Sequence, residues 1–134
     1  MRTLFRSVLL LTALLAVAVG AAAEAAPFEH IKDIVYGNAK GQDLLLDVFV
    51  PTGDAPPKFR PSDSGRGIGL IDIISGGWSD SRARQKEHEM AGVFNILCAQ
   101  QYTVFAIRPG SLPDFNGLEL MANVKRGIRW VKAH

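Results

Sequence analysis

Residues 68–78 read Ile68-Gly69-Leu70-Ile71-Asp72-Ile73-Ile74-Ser75-Gly76-Gly77-Trp78, and this stretch decides the fold. A short, nearly continuous apolar run suits a strand covered on both faces, as in a parallel α/β sheet. The Ser-Gly-Gly break ends it, and Ser79, Asp80 or Ser81 can cap the helix that follows. Met90, Val93, Phe94 and Leu97 fall at i, i+3, i+4 and i+7, one helical stripe behind a charged start. Tyr102–Ile107 is a second buried-strand candidate, ended by Arg108-Pro109-Gly110. Asn116 with Glu119 three residues on makes a capping box for a last helix. Met121, Val124, Ile128 and Val131 are the apolar face expected of it.

Upstream, His30–Tyr36 reads as a short strand, and Asp43–Val50 as another that Pro51 stops. Gly37, Asn38 and Gly41 supply turn chemistry between them, which predicts an antiparallel hairpin. Residues 51–67 hold Pro51, Pro56, Pro57 and Pro61 among Gly, Asp and Ser, the composition of a long surface loop. The predicted order is therefore hairpin, strand, helix, strand, helix, an α/β sheet with crossover helices.

The first residues carry a different signal. Arg2 and Arg6 precede an apolar run, Val8–Val19, and the small residues Gly20–Ala26. That is the layout of a secretory signal peptide, and the run falls short of the roughly 20 residues a membrane span needs. Ala23 and Ala25 place cleavage after Ala25, so residues 1–25 are expected to be removed, leaving 26–134 as the exported domain, secreted or periplasmic. Of 134 residues, 48% are hydrophobic, enough for a core and too apolar for disorder. A net charge of +2 without a dense basic block argues against nucleic-acid binding. The single cysteine, Cys98, excludes an internal disulfide framework and any Cys-based zinc site. It sits beside Leu97 and reads as a buried core thiol.

Chemistry concentrates at Ser75–Trp78. Two adjacent glycines after a buried strand let the backbone turn sharply and approach a ligand. Amides freed there, near a helix N-terminus, can stabilise an anion. In acyl transfer that anion is the oxygen of a tetrahedral intermediate.

Four stretches in order then resemble one family. Leu46-Asp47-Val48-Phe49-Val50-Pro51 resembles the L-D-V-Y-x-P second strand of the α/β-hydrolases that include carboxylesterases and hormone-sensitive-lipase-like enzymes. Ile73–Trp78 is similar to their strand-3 end and H-G-G-x-W oxyanion loop. Gln101–Arg108 resembles their fourth strand, and Asn123–Val131 the helix before the nucleophile strand. The resemblance covers residues 30–134. It implies an N-terminal part of an α/β-hydrolase sheet, incomplete without the nucleophile strand, which would lie beside Ile68–Ile74. It also implies serine-dependent hydrolysis of a small-molecule ester or acylated substrate, with no organic or metal cofactor. Only the oxyanion-loop amides of Gly76, Gly77 and Trp78 would come from this chain; the G-x-S-x-G elbow and the later Asp and His would follow His134.

The departures are specific. Ser75 stands where the family has histidine, Trp78 stands where it has a third glycine or small residue, or else the loop is one residue shorter, and Asn123 stands where it often has aspartate. Gly77-Trp78-Ser79-Asp80-Ser81 imitates an elbow but lacks its second glycine, so Ser79 reads as a helix cap rather than a nucleophile partnered by Asp114 and His134. His88 lies among Lys86, Glu87 and Glu89 and reads as solvated; His30 has no ligand partner at i+2 or i+4, and His134 is terminal. No metal site is argued. Asp47 and Asp72 are not paired by spacing, and Lys125, Arg126, Arg129 and Lys132 read as a solvated face. The alternative function, from another class, is a non-catalytic exported binding or structural domain that kept the fold.

Overall fold

The computed structural model describes residues 28–53 and 67–134. The signal-peptide expectation and most of the 51–67 loop lie outside them.

Strands β1 (Phe28–Ala39) and β2 (Gln42–Pro51) form the hairpin. Its turn is Lys40-Gly41, with φ of 52° and 75°, the two positive values that match a hairpin's twist. Gly37 and Asn38, expected in the turn, are strand residues. Gly37 is there because a Cβ would meet Arg126 Cδ at 2.6 Å. After β3 (Gly69–Ile73), α1 (Arg82–Met90) and α2 (Val93–Ala99) lead to β4 (Thr103–Arg108), and α3 (Gly117–Ala133) ends the chain.

The sheet order is β1-β2-β4-β3. β2 pairs antiparallel with β4, and β3 pairs parallel with β4, in register from Gly69↔Thr103 to Ile73↔Ile107. β3, the strand of residues 69–73, is thus at the end of the sheet. Expected to be covered on both faces, it is instead half-exposed, because β4 is its sole strand neighbour among the described residues.

The alternation of β2 builds a core on each face. Leu44, Leu46 and Val48 join Tyr36, Ile107, Phe115 and Leu120 beneath α3. Phe49 joins Ile74, Phe94, Cys98, Val104 and Ala106 beneath α2, with the Phe49 and Phe94 rings stacked 3.8 Å apart. Helices on both faces of a mixed sheet make this an α/β fold. Burial pushes the Cys98 thiol up to about 11, in keeping with a core thiol.

Two expected helices differ from the structure. The stripe from Met90 to Leu97 is split at Gly92, whose φ of 76° ends one helix and starts another. Met90 is consequently 79% exposed, while Phe94 and Cys98 face the core. In α3 the buried positions are Leu120, Asn123, Val124 and Gly127, with Met121 outside. A Cβ on Gly127 would sit 2.7 Å from Ile107 Cδ1, so the helix turns its smallest side to the sheet. The Asn116–Glu119 capping box is present. No helix among the described residues is long and apolar enough to cross a membrane.

Candidate functional site

β3 is pinned at its carboxyl end, where Ile74 N–H donates to Ile107 O at 2.9 Å. Gly76–Trp78 then make one 3-10 turn: Trp78 N–H donates to Ser75 O (3.2 Å) and Ser79 N–H to Gly76 O (3.3 Å). Gly77 and Trp78 have φ of 63° and 60°. Glycine adopts this region freely, whereas a tryptophan there carries about 1–2 kcal/mol of strain. Trp78 is 54% exposed.

The turn treats its three amides differently. The Trp78 amide is engaged by Ser75 O. Among the described residues, no acceptor is assigned to the Gly76 or Gly77 amide. Two successive N–H groups without an assigned acceptor, on exposed residues in a tight turn at the end of a parallel strand, suit the kind of concavity that binds an anion.

Two braces flank the turn. Behind it, the Asp80 carboxylate accepts from Gly110 N–H through Oδ2 (2.7 Å) and from the Ser111 hydroxyl through Oδ1 (2.7 Å). Asp80 N–H donates to Ser111 Oγ (3.0 Å), and Leu112 N–H to Trp78 O (3.0 Å). Asp80, Ser111 and Arg108 also line a cavity of about 220 Å3 with Asp43 and Phe115.

The second brace is a buried charge cluster. Asp47, fully buried in β2, accepts from His30 Nε2 (2.7 Å), Gln85 Nε2 (2.7 Å), the Asp33 amide (3.0 Å) and the Arg82 guanidinium. Asp33 in turn pairs with both Arg82 and Arg108, each at 2.5 Å. Arg82 is the first residue of α1, so the cluster fixes the helix that follows the glycine turn. Burial alone would raise the Asp47 carboxyl. Hydrogen bonds from Gln85, the Asp33 backbone, Arg82 and His30 outweigh it and hold the group well below its ordinary 3.8.

Several single-residue expectations change. Ser81, not Ser79, caps α1, its hydroxyl accepting from Arg84 N–H. Ser79 closes the 3-10 turn through its backbone. His88 is not simply solvated: its Nδ1 lies 2.7 Å from Asp72 Oδ2, tying α1 to β3. His134 stacks on Trp130 at 4.2 Å. Asp47, Asp80, Arg82, Gln85 and Arg108 were not singled out by spacing. A charged residue inside the apolar run Leu44–Val50 was the one signal, and it pointed to Asp47 alone. Among the described residues, no group of three or more His, Cys, Asp or Glu side chains is arranged to hold a metal ion.

No described protein family and no curated protein matches the sequence. Solved structures do match. Esterase B from Lactobacillus rhamnosis (HN001) is similar with a TM-score of 0.53 and 19% identity. The same enzyme inhibited by a C4-C4 SN3 tributyrin phosphonate gives a TM-score of 0.53 and 20% identity. Both likenesses cover 78% of this chain and 30% of the esterase. At that identity the likeness is one of fold: the mixed four-stranded sheet and its helices form part of an α/β-hydrolase-like architecture.

Proposed function

We propose that this chain is the N-terminal portion of an exported, esterase-like serine hydrolase, in which the Gly76 and Gly77 amides stabilise the oxyanion of ester hydrolysis. The observation that carries the reading is the turn itself. Two amides without assigned acceptors stand at the carboxyl end of β3, on the side where the sheet has no further strand among the described residues. Support comes also from the esterase likeness, which spans 30% of those enzymes, and from the signal-peptide pattern of residues 1–25.

In this reading the next strand of a longer protein pairs with β3 and ends in a nucleophilic serine. A histidine held by an acid takes the serine proton as the hydroxyl attacks the ester carbonyl. The carbonyl oxygen becomes an anion that accepts hydrogen bonds from Gly76 and Gly77. Each such donor is worth about 3–4 kcal/mol of the barrier. Trp78 contributes the turn's last residue; its own amide joins only if the bond to Ser75 O opens. The substrate is a small-molecule ester or acylated compound, in line with the phosphonate inhibitor of esterase B. The chemistry calls for no organic or metal cofactor.

The test extends the clone downstream. The longer protein is expected to hydrolyse p-nitrophenyl butyrate and to take a fluorophosphonate on one serine, while the 134-residue chain shows neither above background. An extended protein that does neither would overturn the reading. So would turnover by the short chain that Ser79→Ala abolishes. Ser75, standing where the resembled family has histidine, favours one rival: an exported binding or structural domain that kept the fold.

A further inference from the structure

We infer that Asp80 is the positioning residue of the Gly76–Gly77 turn, transmitting the rigidity of the loop after β4 to the two glycine amides. The mechanical meaning stands on geometry alone; its catalytic meaning rests on the oxyanion reading above.

An aspartate just before a helix has an obvious alternative use, as an N-cap. That role is taken by Ser81. The Asp80 carboxylate is turned instead across 30 residues of sequence, onto Gly110 and Ser111. Its two partners there are both donors, one N–H and one O–H. A side chain with two acceptor oxygens on one carbon satisfies both at once, and the negative charge strengthens each bond. With the Asp80 amide on Ser111 Oγ and the Leu112 amide on Trp78 O, four hydrogen bonds join residues 78–80 to residues 110–112.

A lever works only from a fixed point, and the far loop is fixed. Asn123, buried on α3, donates to Pro109 O at 2.9 Å. Phe115 is buried against Gly110, whose φ is 103° and where a Cβ would lie 2.4 Å from Phe115 Cδ2. Phe115 N–H donates to Ser111 O (3.1 Å), and Lys40 reaches Asp114 O (3.0 Å). The glycine turn is packed far less: Gly76, Gly77 and Trp78 are all exposed, and beside the two glycines lies the half-exposed Arg84 side chain rather than a core residue. Its shape therefore depends on its ends. Ile74 holds the entry through Ile107 O, and Asp80 holds the exit. Donors act well on a developing charge only when held in place beforehand.

The experiment uses the 15N-labelled chain and no turnover. In Asp80→Ala, the amide order parameters of Gly76 and Gly77 should fall from the rigid range, about 0.85, to below about 0.6. The Leu112 amide should exchange at least tenfold faster, while amides in β2 and β4 keep their protection. Asp80→Asn should rescue both readouts in part, because its Oδ1 can accept from Gly110 and its Nδ2 can donate to Ser111 Oγ, while the charge and the second acceptor are lost. Ser111→Ala, which leaves the Gly110 bond, should fall between. Unchanged order at Gly76 and Gly77 in both Asp80→Ala and Ser111→Ala would overturn the inference. So would uniform loss of protection across the sheet, the mark of a general stability role, or failure of Asp80→Asn to rescue. In the extended enzyme, a turn loosened by Asp80→Ala with unchanged kcat would leave the positioning intact and refute the oxyanion role instead.

Discussion

The two outer strands of the sheet end it in opposite ways. β1 carries register shifts between Ile31 and Ile34 and between Val35 and Gly37, and Asp33 in the first has φ of 56°. Glu29, Lys32 and Asp33 put charge along it. Bulges and charge are how proteins close an edge against further pairing. β3 has none of this. It runs in register with β4, ends in Ile73 at 42% exposure, and turns its one charge, Asp72, back to His88. The difference teaches that β1 carries the devices that close an edge, while β3, equally outermost among the described residues, carries none of them.

The closed edge can be broken at its hub. The β1 bulge forms around Asp47, to which Asp33 gives its amide. Asp47→Ala removes the one carboxylate that accepts from His30, Gln85, the Asp33 amide and Arg82 at a fully buried position, and should cost about 3–5 kcal/mol in urea unfolding. The same hub sets acid sensitivity. Asp47, and Asp33 through its hydrogen bond from Arg108, are held below their ordinary 3.8 in the folded state. The unfolded chain therefore takes up protons first as pH falls. This contribution should be complete above about pH 4 and fade below it, and Asp47→Ala should flatten that slope in a pH series of unfolding curves.

The open edge sharpens the contrast. Ile73→Lys should shift this chain's stability by no more than about 0.5 kcal/mol and lower whatever edge-to-edge association sedimentation velocity detects for the unsubstituted chain. In a longer protein that covers β3, the same change should cost about 2 kcal/mol or more, because the charge is then buried without a partner. Equal small effects in both would make β3 a true outer strand. Ser79→Ala should have the smallest effect, within about 0.5 kcal/mol, since Ser79 serves the turn through its backbone.

The element order was legible in the sequence because local signals carry it: apolar runs, the Asn116–Glu119 box, prolines at strand ends. The helix break at Gly92 was missed because the stripe Met90–Leu97 keeps its period across it. On α3, Val124 and Val131 face the core as expected, Met121 does not, and Gly127 was missed because it is buried for its small size, not its hydropathy. At the glycine turn, the residue pattern located the site but not the amide bookkeeping, since the Trp78 bond to Ser75 depends on backbone angles. The braces were the least legible part. His30, Asp33, Asp47, Arg82, Gln85 and Arg108 meet only after β1, β2, β4 and α1 assemble. The Asp80–Ser111 clamp likewise joins two loops that no periodicity links.

The central proposal is that a longer protein places a strand carrying the nucleophile beside β3. Reading the coding DNA past the codon for His134 tests it most directly. The account predicts an open frame that continues into a short turn, an apolar strand and a G-x-S-x-G serine. A stop codon at that point, or a next strand that ends without a nucleophile, would contradict it.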